Sequence, residues 1–266
     1  MNYSKLRSVL VFILLFGTIF APAVSAENVG GKKLKIVALG DSITFGWNLG
    51  TDKTKPSDYA FPGLIGERDH KVTNLSKTGW TSTQLLTAME HEPAFADAIK
   101  KADVVTLNIG SNDLMQAAGL SELIKSGKPV EVTPEMLQKV QAAVYQLKIN
   151  LNSILANIRA KTDAPVILYT LYNPFGLTSN PVLNSFHFMG ESFIGQVNGQ
   201  VINPSGKLGS ILIADAYSAY NGKQAQYILP GDIHPTVDGQ YALAKLAEQQ
   251  IVALGDPKVK LKFAKQ

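Results

Sequence analysis

The chain of 266 residues contains no cysteine. Disulfides and a lipid-modified cysteine anchor are therefore excluded, and packing alone must stabilise the fold. Histidine is scarce: the four are His70, His91, His187 and His234, and no two stand at metal-binding spacing. Charged residues make up only 17% of the chain, and the formal net charge of +4 falls by two, to +2, once Lys5 and Arg7 are set aside. The remaining lysines are scattered except in the tail from Lys258 to Lys265, which reads as a solvated end. This balance points away from nucleic acid as a partner. Internal repeats, low-complexity tracts and linkers rich in proline or glycine are also missing.

Long apolar runs are absent but for one. Val9 to Phe20 is almost wholly apolar, preceded by Lys5 and Arg7 and followed by Pro22 and the small residues Val24-Ser25-Ala26. The run is short of the roughly 20 residues a spanning helix needs, and Gly17 and Thr18 interrupt it. The pattern is that of an export signal over residues 1–26, cleaved after Ala26. The expectation is a secreted, extracellular protein with no stable membrane anchor after cleavage. Residues 27–266 suffice for one α/β domain with a sizeable core, and a single domain is expected there. The sequence leaves the oligomeric state open.

Short β-branched runs recur along this stretch. Leu34 to Leu39, Val72 to Leu75, Asp103 to Ile109, Pro165 to Leu171 and Ile211 to Ala214 each read as a strand buried on both faces. From Pro134 to Ala160, Leu137, Val140, Val144, Leu147, Leu151, Ile154 and Ile158 repeat at helical spacing, with Thr133 as cap and Pro134 in the first turn. A last helix is expected after His234, with Val237, Tyr241, Ala244, Ala247 and Ile251 facing inward and Gly255 and Pro257 ending it. Strands alternating with helices predict a parallel sheet covered on both faces by right-handed crossovers. Such sheets collect reactive residues at the carboxyl ends of their strands.

Chemistry-bearing residues fall at those ends. Gly40-Asp41-Ser42 follows the first strand, where a turn would expose the serine hydroxyl; an ordinary turn or cap has the same composition. A serine nucleophile needs a base and donors for the developing charge. His70 and His91 lie in charged surroundings that suit a surface, and His187 lies in Phe186-His187-Phe188, which suits packing or a pocket wall. His234 lies in Gly231-Asp232-Ile233-His234-Pro235, with the Asp232 carboxylate two residues away to fix its tautomer. The loop after the second strand carries Gly79, where a backbone N–H can approach a carbonyl closely, and the loop after the third carries Asn112, whose amide can donate. Asp41, Asp113 and Asp215 read as carboxylates that hold their own turns. There is no Gly-x-Ser-x-Gly elbow, and no metal site or cofactor is expected.

Together these segments resemble the four sequence blocks of the SGNH, or GDSL, hydrolase family. Gly40-Asp41-Ser42 matches the nucleophile block and Gly79 the glycine block; Gly110-Ser111-Asn112-Asp113 matches the asparagine block, and His234-Pro235 with Gly239 the histidine block. The resemblance implies a three-layer α/β/α flavodoxin-like sandwich with a mainly five-stranded parallel sheet. It implies acyl-enzyme chemistry on Ser42 with His234 as base, no metal, and an oxyanion hole made by the Ser42 N–H, the Gly79 N–H and the Asn112 amide. The family usually places its aspartate three residues before the histidine, and that position here is Gly231. Two alternatives follow: the loop bends so that Asp232 still reaches the ring, or a backbone carbonyl near Gly231 orients it.

The implied substrate is a small-molecule or lipid carboxylic ester, with Leu114 to Glu131 and Asn173 to Gly209 as segments that could form an acyl pocket, a lid or packed cover. The rivals are an acetylesterase using Trp47, Tyr59, Trp80 and Tyr172 to stack on carbohydrate, and an inactive carbohydrate or cell-wall binding module of the same fold.

Overall fold

Five of the apolar runs become the strands of one sheet. The computed structural model describes residues 33–254; the expected export signal, the basic tail, Gly255 and Pro257 lie outside the described residues. The strands are β1 (Lys35–Gly40), β2 (Lys71–Asn74), β3 (Val104–Asn108), β4 (Val166–Tyr169) and β5 (Ile211–Ala214). They are parallel throughout and ordered β2-β1-β3-β4-β5. Ile36 of β1 pairs with Val72 on one side and Val104 on the other. This is the flavodoxin-like order, in which the progression of strands across the sheet reverses between β1 and β3 and opens a crevice at their carboxyl ends.

Helices run between the strands. After β1 come α1 (Ser42–Phe45) and α2 (Phe61–Leu64), and after β2 come α3 (Ser82–His91) and α4 (Pro93–Ile99). Between β3 and β4 lie α5 (Ser111–Ala117), α6 (Leu120–Ser126) and the long α7 (Pro134–Arg159); between β4 and β5 lie α8 (Pro181–Val197) and the single turn α9 (Asn203–Ser205). After β5 come α10 (Ala216–Tyr220), α11 (Gln224–Tyr227) and α12 (Val237–Ala253). Val37, Leu39, Val105 and Leu107 pack with α3, α4, α5, α7 and α8, whereas Ile36, Val104 and Ile167 pack with α2 and α12. The inner strands β1, β3 and β4 thus feed a separate core on each face, which is why their sequences are largely apolar without alternation.

Three expectations change in detail. β2 is an edge strand with Lys71 and Thr73 exposed, so it is not buried on both faces. In α7, capped by the Thr133 hydroxyl accepting from Met136 N, the stripe from Val140 to Ile158 is buried but Leu137 is 36% exposed. A helix of 26 residues spans about 39 Å and overruns the short strands beneath it. In α12, Tyr241 is exposed and Gln240, Leu243 and Glu248 face inward beside Ala244, Ala247 and Ile251. Buried polar side chains rotate the inward face: Gln240 accepts from Phe61 N at 2.8 Å and Glu248 from Gly66 N at 2.9 Å.

Candidate active site

The turn after β1 is built to hold Ser42 still. At Gly40 φ is +156°, and a Cβ there would meet Asn108 O and Thr44 Oγ1 at 2.3 Å, so only glycine lets β1 stay against β3 through the turn. Asp41 caps α1 by accepting from Ile43 N at 2.9 Å, which makes Ser42 the first helical residue. Gln240 of α12 donates to Ile43 O at 3.0 Å, and Asn74 of β2 donates to Thr44 O at 2.8 Å. Asp41 is fully buried. Burial pushes its carboxyl up to about 7 against the lowering effect of the Ile43 hydrogen bond.

His234 arrives from the other end of the chain. The segment before α12 is closed by Leu229 N donating to His234 O at 2.9 Å and Thr236 N donating to Tyr227 O at 2.8 Å. Gly231 at φ +71° and Asp232 N donating to Leu229 O at 3.0 Å make the bend. Tyr172, stacked on Tyr220 with ring centroids 4.2 Å apart, donates to Ile233 O at 3.1 Å. The result places His234 Nε2 2.9 Å from Ser42 Oγ, across 192 residues of sequence, and His234 Nδ1 2.6 Å from Asp232 Oδ1. Nδ1 therefore pairs with the Asp232 carboxylate and not with a backbone carbonyl near Gly231. With its proton on Nδ1, the ring presents a lone pair at Nε2 to the serine hydroxyl.

Asp232 is a competent partner for that proton. Partial burial would raise its pKa, but hydrogen bonds from Asn48, His234 and Ile233 outweigh it and hold the carboxyl below its ordinary value. Asn48 Nδ2 donates to Asp232 Oδ2 at 2.6 Å. Sequence reasoning did not find Asn48, which carries no signal of its own 184 residues away from its partner.

Two loops bring the remaining donors to the same end of the sheet. Gly79 sits after β2 at φ +78°, with nothing within 4 Å of a built Cβ, so backbone conformation and not crowding calls for glycine. Asn112 lies in the first turn of α5 and donates from Nδ2 to Trp80 O at 2.9 Å, tying the two loops together. An amide nitrogen has two hydrogens, so one remains for a ligand. Behind them Asp113 accepts from Ser82 N at 2.9 Å and from the Ser82 hydroxyl, reaching across to α3 instead of holding its own turn. Burial raises the Asp113 carboxyl although the Ser82 bonds oppose it. Asn150 of α7 donates to Ser82 Oγ at 2.9 Å and Thr83 Oγ1 at 2.8 Å, completing a buried polar brace.

The other candidates lie elsewhere. Asp215 caps α10 through Ser218 N. His91 is exposed at the end of α3, and His187 donates from Nδ1 to Phe175 O at 2.7 Å beside the wide cleft. His70 is half-buried and not a surface residue, accepting from Leu34 N at 3.3 Å. Of the four aromatic rings suited to stacking, Tyr172 is only 5% exposed. Trp80 packs on Phe95 and under Lys77.

Two cavities meet at the site. One of about 70 Å³ adjoins Ser42 and His234 and is lined by Leu120, Met189, Phe193 and Ile194 among other apolar side chains. The other is a broad cleft of about 1420 Å³ between α6 and the segment leading into α8, reaching Asn112 and Asp232. Leu120, Met115, Pro174, Phe175 and Ile233 belong to the walls of both. The expected pocket segments thus divide: Phe186, Met189 and Phe193 are buried, whereas Ile124, Leu177, Leu183 and Phe188 are exposed.

Comparison with known proteins adds four findings. The model of the GDSL-like lipase/acylhydrolase family matches residues 38–242. A spore germination lipase, LipC, of Bacillus licheniformis is 26% identical over 224 residues, covering 80% of this chain and 93% of the relative. Among solved structures, an extracellular lipase of Streptomyces rimosus aligns with a TM-score of 0.62 at 17% identity over 82% of this chain and 99% of its own. An acetylxylan esterase of Geobacillus stearothermophilus aligns at 0.51 and 19% identity, covering 86% and 98%.

Proposed function

Since the chain belongs to the GDSL-like lipase/acylhydrolase family, and is thus a carboxylic ester hydrolase, we propose that it works as a serine esterase through an acyl-enzyme on Ser42. The supporting observation is the run of contacts from Asp232 through His234 to Ser42, at 2.6 and 2.9 Å. His234 Nε2 takes the hydroxyl proton as Ser42 Oγ attacks the ester carbonyl. The carbonyl oxygen becomes an oxyanion that accepts from the Ser42 N–H, the Gly79 N–H and the spare Asn112 amide hydrogen. His234 then returns the proton to the departing alcohol, and water repeats the sequence on the acyl-enzyme.

The acyl group belongs in the small cavity. Its walls offer a sugar almost no hydrogen-bond partners, so hydroxyls buried there would go unpaired, whereas an alkyl chain gains from the same walls. Trp47, Tyr59 and Trp80 line neither cavity, and Tyr172, in the wall of the small one, is only 5% exposed, which weighs against the acetylated-carbohydrate reading. The alcohol portion occupies the broad cleft. The substrate class is therefore a lipid-like ester whose acyl chain exceeds acetate. Rates on p-nitrophenyl esters should peak at intermediate chain length; a monotonic fall from acetate would return the acetylesterase reading. A fluorophosphonate should label the protein and fail on Ser42→Ala, and an unlabelled wild type would restore the inactive binding module.

We also read residues 1–26 as a cleaved export signal and residues 27–266 as one hydrolase domain. The sequence pattern supports the first, and the match over residues 38–242 supports the second. Among the described residues no helix is long and apolar enough to cross a membrane. N-terminal sequencing of protein from the culture medium tests both export and cleavage.

A further inference from the structure

We propose that Asn48 is a positioning residue for the reaction, bracing the Asp232 carboxylate from outside the histidine loop. The reason lies in the short spacing between Asp232 and His234. All the donors of that loop converge on one oxygen: Oδ1 accepts from His234 Nδ1 at 2.6 Å, Ile233 N at 2.6 Å and His234 N at 3.3 Å. One anchored oxygen leaves the carboxylate free to pivot. Asn48 Nδ2 supplies the second point, donating to Oδ2 at 2.6 Å.

The orientation of the amide is fixed independently. Lys53 Nζ lies 3.2 Å from Asn48 Oδ1, and an ammonium can only donate, so the oxygen faces Lys53 and the nitrogen faces Asp232. Lys53 is itself seated 4.8 Å over the Trp47 ring. Asn48 stands at φ +67°, a left-handed conformation that asparagine tolerates better than most residues and that aims its side chain across the site. Lys53, Asn48, Asp232, His234 and Ser42 thus form one hydrogen-bonded series. The other ionisable neighbours are Tyr172, whose hydroxyl is committed to Ile233 O, and the buried Asp41 beside Ser42.

This inference rests on the serine esterase reading, and its test separates the two. Asn48→Gly keeps the left-handed backbone and deletes the donor; Asn48→Asp keeps the shape and replaces the donor with an acceptor. On a p-nitrophenyl ester, Asn48→Gly should lower kcat about tenfold while KM stays within about twofold, the loss of one hydrogen bond to a charged group. Without that donor the carboxylate holds the imidazolium more tightly. The acid limb of kcat/KM should therefore move to higher pH in Asn48→Gly, and further in Asn48→Asp, where a second negative charge faces the pair. Wild-type kcat with an unmoved limb, or a lower kcat accompanied only by a lower melting temperature, overturns the role of Asn48. A wild type that no fluorophosphonate labels overturns both readings.

Discussion

The two halves of the site are held by different means. On the proposed oxyanion side, the loops of Gly79 and Asn112 are joined through Trp80 O and backed by Asp113, Ser82 and Asn150, with Ser82 fully buried and Asn150 4% exposed. On the acid–base side, Asp232 and His234 are part-exposed and braced by the exposed Asn48. A buried polar network costs dearly when one member is removed, because its partners lose hydrogen bonds that water cannot replace. Exposed groups recover solvent partners. Stability and activity should therefore be coupled in the first half and separable in the second.

Four experiments can break or sharpen that contrast. The largest effect is expected from Asp232→Ala, which should cut kcat by about four orders of magnitude, by analogy with other triads, with the melting temperature nearly unchanged. A loss below about tenfold would assign the orientation of His234 to another group. Asn112→Ala should follow, at about 2.7 to 4 kcal/mol of barrier, read as turnover on a chromogenic ester. Next comes Asn150→Ala, at a residue that lines neither cavity, which should lower stability by about 1 to 3 kcal/mol and reduce turnover with it. If denaturant unfolding shows Asn150→Ala to be neutral, the buried network does not hold the oxyanion loops.

The last test concerns pH. The Asp41 carboxyl stands at about 7 when folded against an ordinary value of 3.8. Between those values the native state binds the extra proton, so Asp41 lowers stability as pH rises from about 4 to about 7. Asp41→Asn keeps an acceptor for Ile43 N and removes the titration. Its melting temperature should fall less than that of the wild type between about pH 5 and about pH 8, and equal slopes would refute the buried charge argument.

The same contrast explains what was legible in the sequence. Ser42, Gly79, Asn112 and His234 each sit in a short block at a strand or helix boundary, where local composition betrays a turn. The parallel fold was legible because strands buried on both faces are apolar throughout. Asp232 was ambiguous, since the bend made by Gly231 and the Asp232–Leu229 hydrogen bond depends on the loop as a whole. Asn48, Ser82 and Asn150 were invisible, because they act on partners up to 184 residues away and each alone is an ordinary polar residue. Tyr172 and Tyr241 were misjudged for the opposite reason. A tyrosine suits either a stacking surface or a core, and only the packing of Tyr220 and the inward turn of Gln240 decide between them.

Gln240 has one more consequence. Its amide grips both Phe61 N and Ile43 O, so the last described helix clamps the turn that carries Ser42 at the first strand. A growing polypeptide makes Ser42 early and receives His234 and Gln240 only when most of the described fold has been synthesised. Under the proposed mechanism, hydrolysis by the nascent chain must wait until then, an order of events that follows from connectivity.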